Sequence, residues 1–334
     1  MKRLLVRRCA VGLTLGALAA TGLAGVSSPA HAAVSDAWLV ASASVHNDGS
    51  NPDCVASVTG DSPDSIAWSD NGVTVTQSYA ESGTVTAPGG DVSTLGASGS
   101  TSVTATPIGA GPATITASSN LSASAVPSVP ATVCQGHATA SGEVDGEFVL
   151  PQPMWATITV TGSGTGTAEV GGSINLSLAD GAIYVQAAKR STGTMTALIP
   201  AGNVGFDFDS WADAYAHQPT HRAGSFTMTT KVDLQPVGAA STASGKGAGY
   251  AQFGARDCAT GNVAAAITKK AKKKAKQVLI TVNGAKVAKF KGKKLKKRTL
   301  VLPAAPASAA EVVATITLKN GKKVTVTRSY LACS

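Results

Sequence analysis

Apolar and polar residues alternate one for one through most of this chain. In MWATITVTG (154–162), Met154, Ala156, Ile158 and Val160 share one side and threonines the other. GSFTMTTKVDL (224–234) sets Phe226, Met228, Thr230, Val232 and Leu234 together, and GVTVTQSY (72–79) alternates Val73, Val75 and Gln77 against Thr74 and Thr76. A period of two is that of a strand, whose successive side chains point to opposite faces. One apolar and one wet face per strand is what antiparallel sheets allow.

Turn signals punctuate these runs at spacings of about 8–12 residues, as in sandwiches and barrels. GSINLSLADGAIYVQAA (172–188) predicts a hairpin around Asp180-Gly181. VLITVNGAKVAKF (278–290) and VVATITLKNGKKVTVTRSY (312–330) predict two more, around Asn283-Gly284 and Asn320-Gly321. Asn-Gly supplies the two positive φ angles of a type I′ turn. The expected fold is all-β: a large antiparallel, jelly-roll-like β-sandwich over 33–257, then a small Ig-like β-sandwich over 258–334. A seam in the larger unit is expected near Ala140. The Ser/Ala/Pro-rich stretch 118–130 reads as a loop or weak edge.

The first 32 residues depart from this pattern. Lys2, Arg3, Arg7 and Arg8 precede an uncharged stretch from Cys9 to Val26, then Pro29 and Ala30-His31-Ala32. That is a secretory signal with an A-x-A cleavage site, predicting a mature chain from Ala33. The residues around Arg7-Arg8 fit a twin-arginine signal poorly, and Cys9 has no lipobox ahead of it. No later stretch approaches the ~20 apolar residues of a membrane span. Four cysteines follow the signal, and an even number in an oxidising compartment reads as two disulfides. Cys54–Cys134 and Cys258–Cys333 is the favoured pairing, because each pair then lies inside one compositional block.

Charge divides the chain more sharply than hydropathy does. Residues 33–261 carry six Lys/Arg against 18 Asp/Glu, a net −12. Residues 262–334 carry 18 Lys/Arg against a single acid, Glu311, a net +17. The lysines concentrate in KKAKKKAK (Lys269, Lys270, Lys272, Lys273, Lys274, Lys276) and KGKKLKKR (Lys291, Lys293, Lys294, Lys296, Lys297, Arg298), on either side of the first Asn-Gly hairpin. Lysine on edge strands guards against edge-to-edge pairing. Seventeen net charges on 73 residues exceed what solubility requires and point to a polyanion, here an anionic cell-wall polymer or acidic polysaccharide. Phe290 and Tyr330 are the only aromatics of the block, so base-stacking recognition of a specific nucleic acid is not expected.

With ITVNGAKVAKFKGKKL (280–295) followed by KNGKKVTVTRSYLAC (319–333), this last quarter resembles C-terminal Ig-like modules common in secreted actinobacterial proteins. The resemblance implies an accessory β-sandwich without a catalytic residue.

Candidate chemistry centres on FDFDSWADAYAHQPTH (206–221). Phe206 and Phe208 alternate with Asp207 and Asp209 as in a strand. Ser210 and Asp213 then form a capping-box-like pair, predicting a short helix that buries Trp211 and Tyr215 at a corner of the sandwich. His217 and His221 have the spacing of a metal-binding helix, but Pro219 between them breaks it, and the metalloprotease motif is absent. Asp207, Asp209 and Asp213 are also candidates for carboxylate-pair hydrolysis. Glu143, Asp145 and Glu147 are candidates for the same chemistry, but they alternate on one strand face in GEVDGEFVL (142–150) and read as a solvated edge. His46 and His137 read as isolated surface residues. No G-x-S-x-G or P-loop is present, and no cofactor or metal is implied. The expectation is a secreted, non-enzymatic structural or binding protein of the cell envelope or extracellular space, with a secreted hydrolase acting through Asp207–Asp213 as the alternative.

Overall fold

The computed structural model describes residues 34–49, 51–60, 63–129, 132–218 and 220–334; the expected signal segment, 1–32, lies outside them. Thirteen strands come first: β1 (Ser35–Asn47), β2 (Val55–Thr59), β3 (Ile66–Ala67), β4 (Val75–Thr86), β5 (Val92–Ala105), β6 (Ala113–Pro127), β7 (Gly136–Leu150), β8 (Met154–Gly166), β9 (Glu169–Leu178), β10 (Gly181–Ala187), β11 (Arg190–Ile199), β12 (Gly202–Tyr215) and β13 (Ala223–Pro236). They form a six-stranded sheet, β10-β9-β12-β7-β1-β3, and a seven-stranded sheet, β11-β8-β13-β6-β5-β4-β2, with every pairing antiparallel.

The last eight of these strands are nested. β9 pairs with β10, β8 with β11, β7 with β12 and β6 with β13, and successive pairs fall in alternate sheets. An antiparallel ribbon rolled up in this way is a jelly roll. β1 and β3 widen one of its sheets; β5, β4 and β2 widen the other.

Period-two alternation carries directly into packing. On β8, Met154, Ala156, Ile158 and Val160 are buried, and on β13 Phe226, Met228, Thr230, Val232 and Leu234 are buried. Phe148, Phe206, Phe208 and Phe226 are fully buried in this core, with Trp68 also in it, each phenylalanine contributing roughly 1.5–3 kcal/mol of burial. Elsewhere the layer is thin, built from Ala97, Ala117, Ala140, Ala212, Ser119, Ser210, Thr101 and Thr230. Aromatics amount to only 4% of the chain, and the sheets approach closely where these small residues meet.

Two expectations change here. The stretch 118–130 is not a loop or edge up to Pro127: β6 runs through it, internal to its sheet between β13 and β5. Ser119 points into the core with Ala117, Leu121, Ala123 and Ala125, and that inward serine masks the alternation. Ala140, where a seam was expected, is buried in the middle of β7.

A second core begins at Tyr250, ahead of Cys258. Its elements are β14 (Ala251–Arg256), β15 (Val263–Ile267), α1 (Lys269–Lys274), β16 (Ala275–Val282), β17 (Ala285–Lys291), β18 (Arg298–Leu302), β19 (Ala310–Leu318) and β20 (Lys323–Tyr330). The sheets are β14-β15-β18 and β17-β16-β19-β20. First, second and fifth strands thus face fourth, third, sixth and seventh, an Ig-like order. Asn283 and Gly284 both have positive φ, 49° and 79°, as a type I′ turn requires. At the other tip only Gly321 does. There Gly321 N–H donates to Leu318 O and Leu318 N–H to Lys322 O, a wider loop closed by a left-handed glycine rather than the expected two-residue turn.

Cys54 is bonded to Cys134 and Cys258 to Cys333, closing spans of 80 and 75 residues. The first ties the segment before β2 to the start of β7. The second joins the end of β14 to the tail beyond β20. Trp155 of β8 reaches that tail, its Nε1–H donating to Ala332 O at 2.9 Å.

Candidate functional site

The stretch 206–221 does not turn into a helix. β12 runs straight through Tyr215, so Phe206, Phe208, Ser210, Ala212 and Ala214 point inward and Asp207, Asp209, Trp211, Asp213 and Tyr215 outward. Ser210 is fully buried and donates to Gly142 O at 3.1 Å; it caps nothing. Trp211 and Tyr215 are half-buried on the outer sheet face rather than hidden in a corner. Two small inward alanines let the strand continue where a helical cap was read.

Register assembles the outer face of the six-stranded sheet into rows. Tyr184, Asn175, Asp207, Asp145 and Trp38 stand side by side across β10, β9, β12, β7 and β1. Gln186, Ser173, Asp209, Glu143 and Val40 form the next row, and Gly171, Trp211, Ser141 and Ser42 the one after. A cavity of about 310 Å³ is lined by Trp38, Glu143, Asp145, Asp207 and Asp209; another of about 330 Å³, by Tyr184, Gln186, Asp209 and Trp211. They share Asp209.

Burial, joined by the crowding of like charge at Asp145 and Asp209, perturbs these acids. Burial, then the carboxylates of Asp207, Glu147, Asp36 and Glu143, raise the Asp145 pKa above the ordinary aspartate value. Burial raises Asp207, and burial followed by Glu143 and Asp207 raises Asp209. Asp213 belongs elsewhere: it accepts from Thr139 Oγ1 at 2.6 Å and lies 3.2 Å from His137 Nε2.

His46 and His137 are not isolated. They are cross-strand partners on β1 and β7, with ring centroids 5.0 Å apart. Tyr215 stacks on His137 at 4.3 Å, and His217 and His221 lie 5.8 and 6.5 Å from Tyr215. All four histidines of the described residues therefore meet at one end of this sheet, across 175 residues of sequence. Only register, which no local motif reports, brings them together.

The lysines gather with equal economy. The Ig-like order puts the β15–β16, β17–β18 and β19–β20 connections at one end of the module. Lys269, Lys270, Lys272, Lys273 and Lys274 lie on α1 in the first; Lys293, Lys294, Lys296 and Lys297 lie in the second. Lys276, Lys291 and Arg298 stand on the adjoining strand ends: Lys291 pairs with Gln277, and Arg298 with Ile267. Sequence reading missed the third contribution, Lys319, Lys322 and Lys323 at the β19–β20 tip. Lys319 N–H donates to Lys274 O at 3.0 Å, joining two of the tips. Fifteen of the 18 basic residues from 262 onward thus sit at this end. The block's one acid, Glu311, starts β19 at the opposite end. Trp155 of the sandwich reaches the module's tail, beside Cys333, at that opposite end, so the lysines lie away from this contact. Among the described residues no ion pair involves these lysines.

No protein-family model and no curated protein matches the chain. Among solved structures, the adhesin domain of Epf from Streptococcus pyogenes is similar at 10% identity, over 67% of this chain and 76% of that chain, with a TM-score of 0.19. A likeness that slight carries no argument about function.

Proposed function

We propose that this is a secreted, non-enzymatic binding protein of the cell envelope or extracellular space, docked by the basic end of its Ig-like module on an anionic wall polymer or acidic polysaccharide. One observation carries the reading: three connections and the strand ends adjoining them deliver fifteen cations, and no carboxylate, to one end of a small sandwich. Exposed like charges at such density repel one another and gain when a polyanion neutralises them. Export is supported by the signal-like segment 1–32 and by two disulfides, which persist in oxidising compartments. Among the described residues no helix is long and apolar enough to cross a membrane. The test is retention on isolated cell-wall material from about 0.01 to 1 M salt, over which the screening length falls from roughly 30 to 3 Å. Retention should collapse across that range; retention indifferent to salt overturns the reading.

A second reading, hydrolysis, draws on Asp145 and Asp207 rather than the trio Asp207, Asp209 and Asp213. Directly opposed strand residues hold their Cβ atoms roughly 4.5–5.5 Å apart, within reach of carboxylate-pair chemistry, and both pKa values are raised. Asp213 is occupied by Thr139 and His137. Glycan hydrolysis by the wild type and its loss in Asp207→Asn would establish this reading; no turnover across a glycan panel would remove it.

A further inference from the structure

We infer that His46, Asp48 and His137 form a binding site for a divalent first-row transition metal, zinc by preference. His46 Nε2 lies 2.5 Å from one oxygen of the Asp48 carboxylate, and His137 Nδ1 lies 3.0 Å from the other. The three donor atoms all fall within 4.8 Å of one another. Around a tetrahedral zinc, with bonds of about 2.0–2.2 Å, donors stand roughly 3.3 Å apart. Adjustments of side chains at the half-exposed rim therefore admit an ion between them.

The surroundings of each ligand have the form that metal-bound histidines need. A ligating imidazole uses one nitrogen for the metal and donates its other N–H to an oxygen, which fixes both tautomer and ring orientation. His46 has Ser44 Oγ 3.2 Å from its Nδ1, leaving Nε2 for the ion. His137 has Asp213 Oδ1 3.2 Å from its Nε2, leaving Nδ1 for the ion. Asp213 is itself held by the Thr139 hydroxyl. The stacked Tyr215 ring fixes the plane of His137. His137 Nδ1 is buried, and its 3.0 Å approach to the Asp48 carboxylate does not have the geometry of a hydrogen bond; a metal bond would satisfy it.

Donor chemistry selects the ion. Two imidazoles with one carboxylate suit zinc, copper or nickel, whereas calcium and magnesium take oxygen ligands throughout. Three protein ligands on one rim leave a coordination position open to an outside donor. His217 and His221 lie beyond Tyr215 and complete no part of this set.

The experiment is calorimetric titration of zinc chloride into the full mature chain, free of any histidine tag. One zinc per chain should bind, with affinity reduced at least tenfold in His46→Gln and in His137→Ala. Asp213→Asn should weaken binding about tenfold, as loss of an outer-shell partner does, while His217→Ala with His221→Ala leaves it unchanged. A second readout covers misfolding of a variant: zinc should raise the melting temperature of the wild type but not that of His46→Gln, whose half-exposed ring lies outside the core. Absence of saturable binding up to millimolar zinc, or wild-type affinity in His46→Gln, overturns the site.

Discussion

Asp145 and Asp207 face each other directly across the β7–β12 pair, two carboxylates in one cross-strand position. Like charges so placed destabilise a sheet. Both groups, with Asp209, have folded-state pKa values raised from 3.8. The native protein therefore binds more protons than the unfolded chain at mildly acidic pH. Their stabilising contribution is fully present below about pH 3.8 and is lost as pH rises through the raised values. Asp207→Asn should accordingly stabilise the sandwich at pH 7 by up to about 1 kcal/mol. That advantage should vanish as pH falls below about 3.8, which paired melting curves of variant and wild type will show.

Position, rather than total charge, should govern retention on an anionic surface. Lys293→Gln with Lys294→Gln removes two cations from the β17–β18 connection. Lys286→Gln with Lys289→Gln removes two from the exposed edge strand β17. At about 1 kcal/mol per lysine near an anionic surface, the first pair should weaken retention roughly tenfold or more and the second markedly less. Equal losses would mean that the module binds through net charge alone.

Arg256 staples the opposite end of the module. Although only 8% exposed, its guanidinium donates to Gly261 O, Leu331 O and Ala305 O at 3.1, 2.6 and 2.6 Å. Burial lowers its pKa from the ordinary arginine value. Arg256→Met should cost about 3 kcal/mol by leaving these carbonyls without donors. Arg256→Lys should recover little, because an ammonium cannot reproduce the planar fork. Denaturant unfolding of the Ig-like module reads both.

Gly142 marks the thin centre of the jelly roll. A methyl group there would land on Thr101 Oγ1 and stand 3.2 Å from both Ser119 Cβ and Ser210 Oγ. Gly142→Ala should cost about 1–3 kcal/mol through overpacking. Adding Thr101→Ala should return part of that loss, a coupling that a double-mutant cycle measures.

Strand positions, the jelly-roll class and the disulfide pairing are legible in the residues because each rests on local signals. MWATITVTG and GSFTMTTKVDL alternate cleanly, Asn283-Gly284 names its turn, and a unit boundary read at 258 divides the cysteines two and two. The failures share one cause. In 118–127 an inward Ser119 hides the period, and in 210–215 a buried serine imitates a helix cap. Which residues become neighbours depends on strand register, and register follows from the whole fold. His46 beside His137, Asp145 beside Asp207 and Lys319 beside Lys274 are therefore invisible to any window along the chain.

The nesting of β6 to β13 also imposes an order in time. Of the four pairs, only β9 with β10 is closed by a two-residue link, Ala179-Asp180. Every other pair in the nest encloses those inside it, and the entropy lost in closing it falls once the inner ones have formed. Zipping outward from this hairpin closes the shortest remaining loop at each step, and on that route β13 reaches β6 last. A chain built this way folds slowly, with the edges of its outermost strands open until the final step.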